Sequence, residues 1–378
     1  MKFQKMNEKV KAALFVKPGK FIIQEFEKPS LGPYDILMKI RLCGICGSDI
    51  HFWNGVQGIS TPYIMGHEFI GEVTEVGTKA IQQRRINIDD QITVEILIPC
   101  HQCRWCKQGR YNICQKDDAS FTGGYGRQYG CNIPASRLPT PLWGGFAQYL
   151  YVPPEAFVHK YEKKMEWKTG VLTEPLATAL HAVNVAKLGA GESCVILGPG
   201  TIGLCAVVAA KNAGAYPIIL IGAGEKDENR LVVGQELGAD YTINSSQIKN
   251  PIDKVREVVG DFGADMSIEA SGSPEAQVLA IKMVKRGGRC VFVGINGRKA
   301  LTLIPDTDLV FREVSVSGCI LSAQGYEGAV KIIQSSQFPL SKLVTHEFSL
   351  ERINQAFHFI NSRPDNAIKA VINPWPKS

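Results

Sequence analysis

The segment that most constrains this fold runs Ser193-Cys194-Val195-Ile196-Leu197-Gly198-Pro199-Gly200-Thr201-Ile202-Gly203-Leu204. It sets a G-x-G-x-x-G motif directly after an apolar strand and at the start of a helix. Each glycine answers a physical demand. Gly198 permits a tight turn, Gly200 lets the backbone approach a pyrophosphate, and Gly203 lets helix and strand pack closely. The phosphates would sit on the free N–H groups of the first turn, where Thr201 and Ile202 lie. Strand and helix patterns alternate from here. Strands are expected at Cys194–Leu197, Pro217–Ile221, Tyr241–Ile243, Met266–Ala270, Cys290–Val293 and Val314–Gly318. Helices are expected at Thr201–Ala213, Asp227–Leu237, Ile248–Val259 and Glu275–Val284. Such alternation predicts an open, doubly wound parallel sheet that binds a dinucleotide.

In sheets of this kind the next strand ends in an acid that grips the adenosine ribose of NAD. Here it ends Ile219-Leu220-Ile221-Gly222-Ala223-Gly224, with no acid in place. Glu225, Lys226, Asp227 and Arg230 follow in a lengthened loop. An acid reaching the 2′-hydroxyl favours NAD. A cation beside an acid-free site favours the 2′-phosphate of NADP, and a solvated helix start carries the same charges with no cofactor role. The reading leans to NAD, leaves NADP open, and counts Arg230 among the cofactor-binding candidates.

Before this region the chain has a different texture. Val10–Val16, Phe21–Phe26, Ile36–Leu42 and Ile70–Val76 are short β-type runs separated by Pro/Gly turns. Glu174–Leu188 reads as a helix, and the tail from Glu327 returns to mixed structure. The expected layout is a discontinuous domain wrapped around an inserted nucleotide-binding domain, with boundaries at 1–184, 185–318 and 319–378. A chain of 378 residues is long enough for two cores. Its net charge of +6, with no dense Lys/Arg run, argues against nucleic acid or a membrane surface as partner. No stretch approaches a membrane span, and Met1 to Lys20 holds no apolar run of signal-peptide length.

Four of the 11 cysteines fall at C-x2-C-x2-C-x7-C spacing: Cys100, Cys103, Cys106 and Cys114. In a chain without a secretory signal this favours a metal over disulfides, and so a reducing, cytoplasmic compartment. Four thiolates close a tetrahedral zinc with no open position, which is a structural site. The surrounding Pro99–Arg137 is Gly-rich and has little core of its own, as a metal-stapled lobe requires. His101 lies inside the loop as a competing ligand, but four thiolates suffice. Arg104, Lys107 and Arg110 are too few for the basic footprint of a nucleic-acid-binding zinc module.

A catalytic zinc needs three protein ligands and one open position. Cys46 and His67 supply a thiolate and an imidazole, and Glu68 or Glu174 supplies the third. Asp49 is placed to accept the other ring N–H of His67 and fix its tautomer. From chemistry alone His67 is weakly marked, since a lone histidine is more often a core residue. Cys43 makes a C-x2-C pair with Cys46, but no free partner pair completes it, so it reads as a small buried residue. Cys131, Cys194, Cys205, Cys290 and Cys319 read as core or loop thiols.

Taken together these motifs resemble one family. Gly44-Ile45-Cys46-Gly47-Ser48-Asp49-Ile50-His51, Gly66-His67-Glu68, the four-cysteine loop, Glu174-Pro175-Leu176 and the glycine loop follow the order of the zinc-containing medium-chain dehydrogenase/reductases. The likeness spans Lys11 to Pro374. The run Gly47-Ser48-Asp49-Ile50-His51-Phe52-Trp53 is similar to the sorbitol and polyol dehydrogenase branch. The resemblance implies a Rossmann-type doubly wound parallel sheet inserted in a GroES-like β-barrel catalytic domain, with a cleft between the two. It makes His67 and Cys46 ligands of the catalytic zinc and gives Glu68 the place of a carboxylate that joins or leaves the metal. Glu174 stands where classical alcohol dehydrogenases have a third ligand, usually Cys; the polyol branch has Glu there. The third ligand is thus open between Glu68 and Glu174. Ser48 takes the proton-relay position and His51 its outer step. Lys369 falls where some relatives keep a basic residue near the cofactor phosphates.

The function implied is zinc-dependent oxidation of an alcohol or polyol hydroxyl, with hydride transfer to NAD or NADP. Two zinc ions per chain, a small-molecule substrate and a homodimer or homotetramer go with it. The rivals are an NADPH-dependent aldehyde or ketone reductase on the same scaffold and a non-catalytic nucleotide-binding relative, which would lack Cys46 or His67. The Gly- and aromatic-rich segment Phe121–Gly145 reads equally as a substrate-pocket wall and as surface loop packing.

Overall fold

The computed structural model describes residues 8–56, 62–114, 127–130, 140–297 and 299–375. The chain divides into two units. One comprises Met1–Glu174, His346–Ser362 and Lys369–Ser378; the other comprises Pro175–Thr345 and Arg363–Ile368.

The first unit is built on antiparallel strands. β1 (Lys9–Lys17), β2 (Lys20–Glu27) and β4 (Tyr63–Ile64) form a three-stranded sheet in the order β2-β1-β4. The larger sheet uses β3 (Ile36–Gly44), β5 (Glu68–Val76), β6 (Gln91–Val94), β9 (Tyr149–Val152), β10 (Val158–Lys160), β17 (Val344–Ser349) and β18 (Lys369–Asn373). Its order is β10-β6-β5-β3-β18-β17, with β9 also on β3. A small pair, β7 (Leu97–Ile98) and β8 (Arg127–Gln128), leads into the cysteine lobe.

β3 is the hub of this unit. Its apolar residues Ile36, Leu37, Met38 and Ile40 are fully buried. Register decides what lies at its far end: Gly44 pairs with Glu68 on one side and Val371 on the other. The ends of three strands, distant in sequence, therefore meet where β3 gives way to Cys46. There the chain turns into the helix Gly47–Trp53. Trp53 anchors that helix, stacking on Phe21 at 5.2 Å and packing against Phe357 at 5.1 Å.

The second unit holds a six-stranded, all-parallel sheet: β11 (Cys194–Leu197), β12 (Ile218–Gly222), β13 (Tyr241–Asn244), β14 (Ala264–Glu269), β15 (Val284–Phe292) and β16 (Ser315–Gly318). The order β13-β12-β11-β14-β15-β16 reverses direction at β11, which is the switch point of a doubly wound sheet. β11 and β12 are buried at every position, as strands covered on both faces must be. Helices start where caps allow. Asn250 accepts the Ile252 N–H before Pro251, and Ser273 accepts the Ala276 N–H before Pro274. The expected helix from Ile248 thus begins only at Pro251.

The division of units departs from the expected 1–184, 185–318 and 319–378. A β-carbon on Gly325 would lie 2.2 Å from the Ala177 carbonyl, and Gly328 faces Leu180. The stretch after β16 thus packs on the helix Thr173–Ala186 and stays with the second unit until Thr345. Arg363–Ile368 joins that unit through its carbonyls. Arg230 donates to the Ala367 oxygen at 2.7 Å, and Thr201 Oγ1 donates to the Ile368 oxygen at 3.3 Å.

Candidate metal centres and nucleotide loop

The four lobe cysteines converge. Their sulfurs lie within 4.8 Å of one another, with Cys103–Cys106 at 3.5 Å and Cys100–Cys106 at 3.9 Å. Thiolates at about 2.3 Å around a tetrahedral zinc sit about 3.8 Å apart, so the cluster has the right size. Backbone N–H groups of Cys103 and Gln102 donate to Cys100 Sγ, and that of Cys100 donates to Cys114 Sγ. Burial raises the Cys103 thiol, but hydrogen bonds from the Cys106 N–H and side chain outweigh it and bring it to about 6. His101 does not compete for this centre; its Nε2 lies 2.9 Å from the Glu155 carbonyl. Tyr111, within the lobe, donates to buried Glu95, which His159 also meets at 2.8 Å. No cysteine among the described residues forms a disulfide, and Cys131 lies outside them.

A second group gathers at the end of β3. Ligand atoms of Cys46, His67 and Glu68 lie within 4.8 Å of one another. Asp49 ties the group together. Its Oδ2 accepts the Cys46 N–H at 2.9 Å, while Oδ1 lies 3.6 Å from His67 Nδ1 and has no hydrogen-bond partner among the described residues. Glu174 is buried, but it is not part of this close set. Cys43 is buried with its thiol donating to the Gly44 carbonyl, and desolvation pushes that thiol well above its usual pKa.

Lys369, expected near the cofactor phosphates, has its ammonium on a carboxylate. It is buried in the first unit, and its ammonium donates to Glu68 Oε1 at 2.8 Å, to Glu68 Oε2 at 2.6 Å and to the Ile45 carbonyl at 3.0 Å. A buried ammonium needs an anion, and strand register supplies Glu68. Burial by itself would strip the proton. The charge of Glu68, with Cys46 and Glu174 behind it, outweighs burial and raises the pKa.

The glycine loop has the geometry its motif requires. Gly198 has φ +99°, and a β-carbon there would meet Ser271 at 2.7 Å. A β-carbon on Gly203 would lie 1.9 Å from the Gly198 carbonyl. Gly200 caps the helix Thr201–Asn212 with no side-chain bond, and the space above it is open. A phosphate fits there, on uncapped N–H groups. Arg230, a cofactor-binding candidate, has NH1 donating to Asp227 at 3.1 Å and NH2 to the Ala367 carbonyl at 2.7 Å. The guanidinium organises backbone because Asp227 and Ala367 surround it.

Comparisons with known proteins agree with this construction. Residues 32–163 match the alcohol dehydrogenase GroES-like domain, and residues 201–335 match the zinc-binding dehydrogenase family. Sorbitol dehydrogenase of Bombyx mori is 31% identical, covering 90% of this chain and 92% of that protein. The chain belongs to the zinc-type medium-chain dehydrogenase/reductases. The crystal structure of an alcohol dehydrogenase from Thermotoga maritima superimposes with a TM-score of 0.86 at 28% identity, covering 97% of this chain and 100% of that one. A zinc-binding dehydrogenase from Sinorhizobium meliloti bound to NADP gives 0.83 at 28% identity, with coverage of 97% and 100%.

This dehydrogenase is therefore a zinc- and nicotinamide-nucleotide-dependent oxidoreductase of alcohols, with a GroES-like and a Rossmann-type domain. No helix among the described residues is long and apolar enough to cross a membrane. Ser48 and His51 both lie on the helix Gly47–Trp53, three residues apart and so on one face. Trp143 and Phe146 are buried, and Trp143 stacks on Tyr129 at 5.4 Å, so this part of the aromatic-rich segment is core. Residues 121–126 and 131–139 of that segment lie outside the described residues. Two site features escaped the sequence: the Lys369–Glu68 pair, and the need for glycine at Gly44. A β-carbon on Gly44 would lie 2.1 Å from Glu68 Oε2. Only strand register reveals either.

Proposed function

We propose that this dehydrogenase oxidises a secondary hydroxyl of a small polyol, with Cys46, His67 and Glu68 holding a catalytic zinc and Cys100, Cys103, Cys106 and Cys114 a structural one. The observation that carries the reading is the convergence of one sulfur, one imidazole and one carboxylate within 4.8 Å. Three ligands leave a fourth position for the substrate hydroxyl. When bound, zinc supplies a Lewis acid that lowers the hydroxyl's pKa, and the nicotinamide supplies the hydride acceptor. The chain's own residues do the rest. Asp49 orients Cys46 and His67. Lys369 holds the Glu68 carboxylate and balances part of the negative charge. Ser48 takes the hydroxyl proton, and His51, one turn on, hands it toward solvent.

The nucleotide is NAD on this reading. Asp227 folds back from its loop so that Oδ2 accepts the Ala223 N–H at 2.9 Å, beside Gly222 at the end of β12. An acid thus stands close to where a ribose diol is gripped, and Arg230 is committed to it. The NADP-bound Sinorhizobium meliloti relative supports the other choice for its own chain. Parallel assays of a polyol and alcohol panel with NAD and NADP decide between them. NAD turnover on polyols with little NADP activity is expected, and NADP preference overturns the assignment. Ser48→Ala is expected to lower kcat roughly 10²-fold with zinc content unchanged. Undiminished turnover removes the relay.

The same reading extends to a homodimer. β16 is the outer strand of its sheet; its own Val316 is exposed, as are Val310 and Phe311 just before it in the chain. An open edge with apolar neighbours is suited to pairing with a second copy. A monomeric mass in sedimentation at micromolar concentration counts against this.

A further inference from the structure

Under the loops that follow β14 and β15 lies a carboxyl group that the chemistry above does not use. Glu269 is the last residue of β14 and is fully buried. Its Oε1 accepts the Ser271 N–H at 2.7 Å, the Gly272 N–H at 2.9 Å and the Ser271 hydroxyl. Its backbone carbonyl accepts the N–H groups of Val293 and Gly294 at 2.9 and 3.0 Å. Oε2 sits 2.6 Å from where a β-carbon on Gly294 would be, with the Gln277 side chain as its polar neighbour. Beside it, buried Gln277 donates to the Gly294 carbonyl at 3.3 Å and accepts from Asn296 at 2.9 Å.

One buried residue thus holds two chain segments, Ser271–Gly272 and Val293–Gly294. The first leans directly on the dinucleotide loop. Ser271 fills the space in front of Gly198, and the Ala270 N–H bonds the Leu197 carbonyl at 2.9 Å. The two segments also touch: a β-carbon on Gly272 would lie 2.3 Å from the Ile295 carbonyl. In a doubly wound sheet the crevice at the switch point lies between the loops after the two central strands, here β11 and β14. The half built from β14, β15 and β16 faces the second mononucleotide.

We propose that Glu269 is a positioning residue for the nicotinamide half of the nucleotide: it fixes Ser271–Gly272 against Gly198 and Val293–Gly294 beside them. Burying a carboxyl group is costly, and here burial raises its pKa despite the bonds from Ser271, Gly272 and Gln277. The gain is a rigid wall made of backbone. The role rests on acceptance by Oε1, which glutamine retains and alanine lacks.

The test uses the full-length, zinc-loaded protein. Binding of NADH and of AMP is measured by calorimetry for wild type, Glu269→Gln, Glu269→Ala and Ser271→Ala. Glu269→Ala is expected to weaken NADH about tenfold or more while AMP stays within about twofold. Glu269→Gln is expected to restore NADH binding to within about threefold of wild type. In turnover, KM for the nucleotide rises and KM for the alcohol does not. Unchanged NADH affinity in Glu269→Ala overturns the proposal. So does an equal loss of NADH and AMP, or a Glu269→Gln no better than alanine. If Glu269→Ala does not fold, Ser271→Ala carries the test: it removes one donor to Oε1, and an unchanged NADH affinity overturns the role. The proposal rests on the nicotinamide-nucleotide reading, and the wild type separates the two. A wild type that binds neither NADH nor NADPH fails that reading itself.

Discussion

Gly44 shows how a single residue without a side chain makes room for a candidate ligand. The Glu68 carboxylate crosses the place a β-carbon would take, 2.1 Å from Oε2. Gly44→Ala is expected to push Glu68 off Lys369 and out of the Cys46–His67 group. Zinc per chain, by elemental analysis, should fall from two to one while the four-cysteine lobe keeps its ion. Retention of two ions refutes this reading of Gly44. Lys369 is the complementary case. Lys369→Met leaves a buried carboxylate without its cation and is expected to cost roughly 3–5 kcal/mol in urea unfolding. Pairing it with Glu68→Gln should recover part of the loss, because the uncompensated charge is then gone. The sequence marked Lys369 only as a cofactor-site candidate and gave no sign of its pairing with Glu68 or of the tight fit at Gly44. Cys46 and Glu68 were legible as ligand types, whereas Lys369 is 301 positions from its partner and only β18 brings them together.

Among the elements, the cysteine lobe stands apart. The helix Arg104–Lys107 buries none of its residues, and the lobe's buried residues are few, Tyr111, Asn112 and Cys114 among them. On the proposed reading, a zinc on the four cysteines supplies what a core does elsewhere. Cys103→Ser is expected to release one zinc and raise hydrogen exchange across Cys100–Cys114, with β11 to β15 still protected. Equal protection in the variant shows that the lobe folds without its ion. The spacing of the four cysteines was enough to read this element, because the ligands are local and coordination geometry is strict. The start of the helix at Pro251 was less legible: Ile248 has the right apolar character, but Asn250 caps the chain two residues later.

At the level of the whole molecule, stability against acid has an identifiable contributor in the second unit. Burial raises the Asp265 carboxyl, but hydrogen bonds from Lys285 and Ser193 outweigh it and lower it from 3.8 to about 2. A depressed carboxylate stabilises the fold above its unfolded value and loses that contribution as pH falls through the folded one. Asp265→Asn is therefore expected to be less stable than wild type above pH 3.8, with the gap closing as pH falls through about 2. Melting curves across that window check the sign. A gap that widens toward low pH contradicts the linkage.

The sequence by itself determined the features whose physics is local. A strand, three glycines and a helix start define a dinucleotide turn over a dozen residues. Four thiols within one loop define a closed metal site. Alternating strand and helix patterns define a parallel sheet. Only the tertiary structure decided what depends on register between distant strands. It brought Glu68 into the Cys46–His67 set and left Glu174 outside. It paired Lys369 with a buried carboxylate and set Arg230 against Asp227 and Ala367. A charged side chain takes the partner that burial gives it, and sequence distance says nothing about which partner that is.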